Sequence, residues 1–220
     1  MTEPPLKKVK KTLVPVTVLT GFLGAGKTTM LNHILRDKTH GMKFAIIENE
    51  FGEVGVDEKV LTESNINEDI VEVMNGCVCC TVRGDLVLAL KRLYDRVEEF
   101  DGVIIETTGL ADPGPVCQTF FMDEEIEQMY KLDSVITVVD TKYILTRLVE
   151  KKPHGVENEA VEQVVFADKI ILNKVALAEN EEHLKKIEKK IKALNPHAPI
   201  QRTNYSKVNP KDILNLGALI

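Results

Sequence analysis

The stretch VPVTVLTGFLGAGKTTMLNHILR, residues 14–36, decides how the rest of the sequence is interpreted. Its first seven residues are rich in Val and predict a buried β-strand, whereas the end of the stretch predicts a helix. Between them, Gly21, Gly26, Lys27 and Thr28 fit the phosphate-loop pattern G-x-x-x-x-G-K-[ST]. In that pattern, backbone amides and the helix N-terminus hold phosphate oxygens, the lysine reaches the outer phosphates, and the threonine hydroxyl binds Mg²⁺. The stretch therefore predicts a nucleoside triphosphate site.

The whole chain alternates strand-like segments with segments of helix length. Several of the strand-like segments are rich in Val and Ile and almost continuously apolar, which is typical of strands covered on both faces. We predict strands at 14–20, 43–49, 70–74, 102–107, 134–140, 169–174 and 198–203, and helices at 27–38, 83–99, 141–150, 157–166 and 180–194. This alternation predicts an α/β fold, a three-layer α/β/α P-loop NTPase domain with a mostly parallel sheet.

Length and charge limit the classes of protein to which the chain can belong. The 220 residues suffice for one well-buried domain, which we expect at 12–209, after a basic disordered tail at 1–11. We interpret 210–220 as the start of a connection to a further domain. The sequence contains no secretory signal and no apolar run near the roughly 18 residues that a membrane span requires. Because the net charge is −6, we expect no nucleic-acid partner, and because no apolar run is long enough to span a bilayer, we expect no membrane partner.

A second apolar strand, in GVIIETTG, ends in an acidic residue. Glu106 follows four mostly apolar residues of this strand, where a carboxylate near the Mg²⁺ of a nucleotide is expected, and Gly109 can bring its backbone N–H to a γ-phosphate. A strand that merely ends in glutamate is the alternative. We interpret Glu106, with Lys27 and Thr28, as the catalytic set.

Recognition of the base is expected after the strand KIIL. Asn173 and Lys174 match the first two positions of the N-K-x-D pattern with which GTPases bind guanine, but Ala176 stands where that pattern has Asp. A site without this hydrogen-bonding carboxylate should lose much of its discrimination between bases. Preference for GTP then depends on Asn173, Lys174 and backbone contacts, and ATP remains an alternative.

Three of the four cysteines lie close together in NGCVCC, residues 75–80. They do not form a disulfide framework, so a reducing cytoplasm is the simplest location. We interpret Cys77, Cys79 and Cys80 as thiolate ligands that prefer Zn²⁺ to Mg²⁺ and leave one position open. A redox pair of Cys77 and Cys80, or inert thiols, are the alternatives. The remaining Cys117 is expected to be a small packing residue.

An acidic segment, ENEFGEVGVD at 48–57, lies between the phosphate loop and the cysteines. In P-loop switch proteins such a segment is ordered by the γ-phosphate and Mg²⁺ and is released on hydrolysis. If Glu48 or Glu53 supplies the fourth zinc ligand, the nucleotide state would change the affinity for metal. The alternative is a solvated acidic loop.

Taken together, TGFLGAGKTT, IENEFGEVGVD, NGCVCC, ETTGLADPGPV and ILNK resemble the CobW family of P-loop GTPases, metallochaperones that include the zinc-regulated GTPase metalloprotein activators. The resemblance implies a GTPase that binds GTP, Mg²⁺ and Zn²⁺. By position it assigns metal binding to Cys77, Cys79, Cys80, Glu48 and, for Mg²⁺, Thr28. It assigns the nucleotide to the phosphate loop, to the loop after the acidic strand and to the end of KIILNK, that is to Gly21, Gly24, Ala25, Gly26, Lys27, Thr28, Thr29, Gly109, Asn173 and Lys174.

The family also implies a client metalloprotein that receives the metal, and a homodimer is one candidate assembly. The leading hypothesis is thus a slow, Mg²⁺-dependent GTP hydrolase that captures and releases zinc in the cytoplasm. A metal-binding or storage module with a vestigial nucleotide site is the alternative, and Ala176 is the feature that favours it.

Overall fold

The structure is a computed structural model that describes residues 12–48, 70–72 and 83–218. In this part of the chain seven strands are present: β1 Val14–Thr20, β2 Phe44–Glu48, β3 Ile70–Glu72, β4 Gly102–Glu106, β5 Tyr130–Asp140, β6 Lys169–Asn173 and β7 Ile200–Arg202. They pair in parallel in one sheet with the order β3-β2-β4-β1-β5-β6-β7. The predicted parallel sheet is confirmed.

The described helices are α1 Lys27–Arg36, α2 Arg83–Tyr94, α3 Gly114–Met122, α4 Glu124–Met129, α5 Ile144–Arg147, α6 Glu159–Val165 and α7 Glu181–Leu194. Helices α3 and α4 were not predicted, and the helix expected at 141–150 is reduced to the short α5. None of the helices in the described residues is long and apolar enough to cross a bilayer.

Side chains of β1 alternate between the two faces of the sheet, as the period of a strand requires. Val14, Val16 and Val18 pack in a cluster with α2, α3 and α4, whereas Leu19 packs in a second cluster with the buried side of α1. The predicted packing role of Cys117 is confirmed, because it is buried in the first cluster, where burial raises the pKa of its thiol to about 12. Both faces of the sheet are therefore covered.

The C-terminal segment contributes to the second cluster. Ile213 and Leu214 are buried there, and the amides of Leu216 and Gly217 donate to the buried Asp133 carboxylate at 2.9 Å each. Part of the segment after residue 209 therefore packs on the domain, and the connection to a further domain stays a prediction.

Helix α7 ends at a buried asparagine that connects it to its neighbours. The Asn195 amide donates to the carbonyls of Val164 at 2.9 Å and Ala167 at 2.7 Å, and its oxygen accepts the Ala198 amide at 3.0 Å. We expect Asn195→Ala to lower the free energy of unfolding by about 2–4 kcal/mol, because several buried polar groups lose their partners. Asn180→Ala, which removes the exposed N-cap of the same helix, should cost only about 1 kcal/mol. Urea unfolding of both variants measures the difference, and equal losses would contradict the prediction.

Strand β1 lies between β4 and β5, so the chain leaves β1 at the point where the order of the strands changes direction. In open parallel sheets, ligands bind at the carboxyl ends of the strands beside such a point. The loops that follow β1, β4 and β6 all start from this edge. The residues predicted to bind the nucleotide lie in these loops or at the ends of the strands and helix that they join.

Candidate functional site

The loop between β1 and α1 closes on itself and rests on β5. The Ala25 amide donates to the Phe22 carbonyl at 3.0 Å. Gly21 has a φ of 138°, and a Cβ at this position would lie 2.1 Å from the Val138 carbonyl oxygen. Only glycine fits where the loop leaves the strand.

Helix α1 begins without a side-chain cap. Its N-cap is Gly26, and its first turn contains no acidic residue. By contrast, α4 is capped by Asp123 and α7 by Asn180. The first amides of a helix have no partner within the helix, and the helix dipole adds partial positive charge there. The N-terminus of α1 is therefore suited to an anion such as a phosphate group.

The ammonium group of Lys27 is buried across the phosphate loop. Its Nζ donates to the Gly21 carbonyl at 2.9 Å, and the residue is only 7% exposed. Burial lowers the pKa of Lys27, and the negative charge of Glu106 opposes this shift. A cation that has lost most of its hydration interacts strongly with an anionic ligand, which would in turn favour the charged form.

The phosphate loop and β4 are joined by a hydrogen bond. The Thr28 hydroxyl donates to Glu106 Oε1 at 2.9 Å. In the parallel pair of β2 and β4, Glu48 lies in register with Glu106, so two carboxylate residues occupy neighbouring strand ends. A hydroxyl group and carboxylates are the hard oxygen ligands that Mg²⁺ takes in proteins, and the residues present fit this ion.

The loop after β4 contacts the phosphate loop directly. A Cβ on Gly109 would lie 2.4 Å from the backbone nitrogen of Leu23, so the two backbones meet without a side chain between them. The Gln163 amide of α6 donates to the Gly109 carbonyl at 3.2 Å and to the Ala111 carbonyl at 3.1 Å. Gln163 thus holds Gly109 against the phosphate loop.

On the other side of the phosphate loop, Asn173 and Ser206 form a connected set of buried hydrogen bonds. The Asn173 amide donates to the Ala25 carbonyl and to Ser206 Oγ, each at 2.8 Å. Ser206 Oγ donates in turn to the Gly26 carbonyl, and the Ser206 backbone amide donates to Asn173 Oδ1, each at 2.9 Å. The end of β6 and the segment after β7 are therefore tied to the phosphate loop.

Lys174 adopts a left-handed conformation, with φ 61°, and its side chain turns back toward the phosphate loop. Its ammonium donates to the Gly24 carbonyl and to Asp140 Oδ2, each at 2.7 Å. These two bonds fix the aliphatic part of the Lys174 side chain next to the phosphate loop, on the side where we expect the base of a bound nucleotide. Ala176 is exposed two residues further on.

The predicted zinc ligands are divided between two parts of the chain. Cys77, Cys79 and Cys80 lie outside the described residues, as does Glu53, whereas Glu48 ends β2 beside Glu106. Within residues 12–48, 70–72 and 83–218, no group of three or more His, Cys, Asp or Glu side chains could hold a metal ion. The zinc site thus stays a prediction.

Three residues of the site were not predicted from the sequence. Asp140 ends an apolar strand just as Glu106 does, so the same pattern could have indicated it. Ser206 and Gln163 belong to no motif, and only the folded chain brings them to the phosphate loop.

The site has the features that define a P-loop nucleotide-binding domain. At the switch point of a parallel sheet it combines an uncapped helix behind a glycine-rich loop, a buried lysine and a threonine–carboxylate pair. Residues 15–202 match the family model for the CobW/HypB/UreG nucleotide-binding domain. The chain belongs to this family, and the resemblance inferred from the motifs is confirmed.

Relatives of known function share a large part of the sequence. The zinc-regulated GTPase metalloprotein activator 1 of Dictyostelium discoideum is 37% identical over an alignment of 233 positions, gaps included, that covers 93% of this chain and 48% of that protein. The zinc chaperone YjiA of Escherichia coli is 40% identical over 200 residues, which cover 89% and 59% of the two chains. This chain therefore spans about half the length of these relatives.

Solved structures agree with the fold. The Zn(II)-bound YjiA GTPase from E. coli superposes with a TM-score of 0.70 at 33% identity, over 95% of this chain and 63% of that chain. HypB from Helicobacter pylori, solved in complex with nickel, has a TM-score of 0.58 at 20% identity, over 93% of this chain and 84% of that chain, and supports the fold alone.

Proposed function

We propose that this chain is a Mg²⁺-dependent GTP hydrolase that couples its nucleotide state to the capture of Zn²⁺ and to its transfer to a client metalloprotein. Membership of the CobW/HypB/UreG family supports this proposal, as do relatives named zinc chaperone and GTPase metalloprotein activator. One observation carries it. Glu48 lies in register beside Glu106, and Glu106 accepts the hydroxyl of the phosphate-loop residue Thr28. The phosphate loop is therefore connected to the first residue of the predicted acidic segment in two steps. A hydrogen bond joins Thr28 to Glu106, and strand pairing places Glu106 beside Glu48.

For hydrolysis, the proposal gives Lys27 the β- and γ-phosphate oxygens and gives Thr28 and Glu106 the Mg²⁺. Mg²⁺, when bound, neutralises charge that develops on the phosphates. Gln163 Nε2 donates to the carbonyls of Gly109 and Ala111, so this side chain holds the loop after β4 in place. We expect slow turnover until a partner completes the site.

Zinc is the cargo in this proposal and is held by Cys77, Cys79 and Cys80 with Glu48. The thiolates need a reducing compartment, which the cytoplasm provides. The client metalloprotein would receive zinc when hydrolysis releases the acidic segment, and a homodimer is one candidate assembly for that step.

Zinc titration in two nucleotide states tests the coupling. With Mg²⁺ and a non-hydrolysable GTP analogue, the zinc affinity should differ from that of the GDP-bound chain by about 5- to 150-fold, the range of a coupling free energy of 1–3 kcal/mol. The measurement is competition with a fluorescent chelator. A variant with Cys77→Ser, Cys79→Ser and Cys80→Ser should lose the zinc, whereas Cys117→Ala should behave as the wild type because Cys117 is buried in the core. Equal zinc affinity in both states would exclude the coupling.

A metal-binding or storage module with a vestigial nucleotide site is a second candidate, because Ala176 removes the usual base-binding carboxylate. Zinc binding without hydrolysis of either GTP or ATP would favour this module. An ATP-using protein of the same fold is a further alternative. Competition between ATP and GTP for binding would distinguish it from the GTP hydrolase and from the metal-binding module.

A further inference from the structure

The backbone of residue 176, where the base-binding carboxylate is missing, is contacted by a side chain from another part of the chain. The backbone amide of Ala176 donates to Oδ1 of Asn204 at 2.8 Å. Because a backbone N–H can only donate, this bond fixes the orientation of the Asn204 side-chain amide, with its oxygen toward residue 176. An amide oxygen thus lies beside the backbone of the residue that is aspartate in the N-K-x-D pattern.

Asn204 belongs to a turn that is fixed against the phosphate loop. The next two residues, Tyr205 and Ser206, both have positive φ, 55° and 54°. The Ser206 hydroxyl donates to the Gly26 carbonyl at 2.9 Å, and the Tyr205 carbonyl lies 2.9 Å from Nε2 of His33 on α1. The turn therefore holds Asn204, which is half-buried, beside Ala176, two residues after Lys174.

We propose that Asn204 is the side chain that reads the edge of the purine base, an inference that rests on the proposed nucleotide site. An amide oxygen has two lone pairs, and one of them already accepts the Ala176 amide. One acceptor position remains for the base. A carboxylate, by contrast, can accept both donors of guanine, the N1–H and the 2-amino group.

The number of free acceptors determines whether the site can distinguish guanine from hypoxanthine. Guanine offers two donors and hypoxanthine offers only the N1–H, so a site with one acceptor gains nothing from the 2-amino group. The wild-type chain should therefore bind ITP about as tightly as GTP. A site that reads both donors would reject ITP, because its second acceptor would be left without a partner.

Two variants at residue 204 test the proposal through equilibrium binding of GTP, ITP and inorganic tripolyphosphate in the presence of Mg²⁺. Asn204→Asp keeps an oxygen for the Ala176 amide and adds a charged acceptor, so the preference for GTP over ITP should rise about tenfold or more. Asn204→Ala should weaken GTP and ITP alike by about three- to tenfold, the range for a neutral hydrogen bond, and should leave tripolyphosphate unchanged.

Asn209→Ala is the matched control, because the Asn209 side chain likewise accepts a backbone amide, from Lys211 at 3.0 Å, and it should change none of the three affinities. If Asn204 is only structural, Asn204→Ala will weaken tripolyphosphate as much as GTP, which overturns the inference. An unchanged ratio of GTP to ITP in Asn204→Asp also overturns it. If neither GTP nor tripolyphosphate binds the wild type, the proposed function itself fails, and the inference fails with it.

Discussion

The Lys27→Ala variant is expected to lose GTP hydrolysis by about a hundredfold or more while remaining folded. In the free protein, the Lys27 ammonium is buried and donates to the Gly21 carbonyl of its own loop. A charged donor that is already desolvated and aimed into the loop needs little reorganisation to meet a triphosphate, and removing one such preorganised donor typically costs about 10²–10³ in rate. Binding of the triphosphate should weaken together with the rate.

The stability of the same variant separates a catalytic effect from unfolding. Burial lowers the pKa of Lys27, so the fold itself disfavours the ammonium, and its removal should leave the melting temperature unchanged or slightly higher. Lys192→Ala is the matched control, because Lys192 also donates to backbone carbonyls, those of Pro196 and Ala198, but does so at the end of α7. Single-turnover hydrolysis and a melting curve on each variant suffice. Full activity of Lys27→Ala would remove the phosphate loop from the mechanism.

Much of the fold could be predicted because the sheet is buried on both faces. A strand such as KIIL has no polar face, so its apolar run stands out without any knowledge of its neighbours. The phosphate loop could also be predicted, because its motif residues are continuous in sequence. The contacts that require glycine at positions 21 and 26 are made with distant residues and exist only in the folded chain. The pairing of Glu48 with Glu106 could not be predicted from the sequence, because the register of two strands depends on the packing of the whole sheet.

Helices α3 and α4 were missed for a different reason. Their sequence, GPVCQTFFMDEEIEQM, has no sustained polar face at helical spacing, and α4 has only six residues. Helix α3 starts at Gly114 after a proline, a signal that also indicates a turn. These helices form because Phe120 and Ile126 are buried against the sheet, and that contact exists only in the folded chain.

Sequence motifs predicted only some of the residues on the base-binding side of the site. The sequence indicated Asn173 and Lys174, and it correctly showed that residue 176 lacks a carboxylate. It did not indicate Asn204 or Ser206, because the segment after β7 matches no pattern and becomes part of the site only through hydrogen bonds to residues about 30 or 180 positions away. Predicting contacts between such distant segments requires the topology first.

The second large effect is expected at Gly26, where the phosphate loop meets these distant segments. Its φ is 111°, and a Cβ would lie 2.5 Å from both Asn173 Nδ2 and Ser206 Oγ. Gly26→Ala therefore combines a backbone conformation that alanine rarely adopts with a clash against two hydrogen-bonded groups. We expect the free energy of unfolding to fall by about 2–6 kcal/mol, with strain and overpacking each contributing about 1–3 kcal/mol.

Nucleotide binding by Gly26→Ala should be lost below the temperature at which the variant unfolds, because Asn173 and Ser206 must move away from the phosphate loop. Gly41→Ala separates the effect of backbone strain from the effect of the clash. Gly41 also has a positive φ, 64°, but a Cβ there would meet no atom within 4 Å, so it should lose only about 1–2 kcal/mol and keep its affinity for nucleotide. Urea unfolding and binding of a fluorescent GTP analogue are the measurements. If Gly26→Ala resembles Gly41→Ala in both, Asn173 and Ser206 are not the contacts that hold the phosphate loop in its binding conformation.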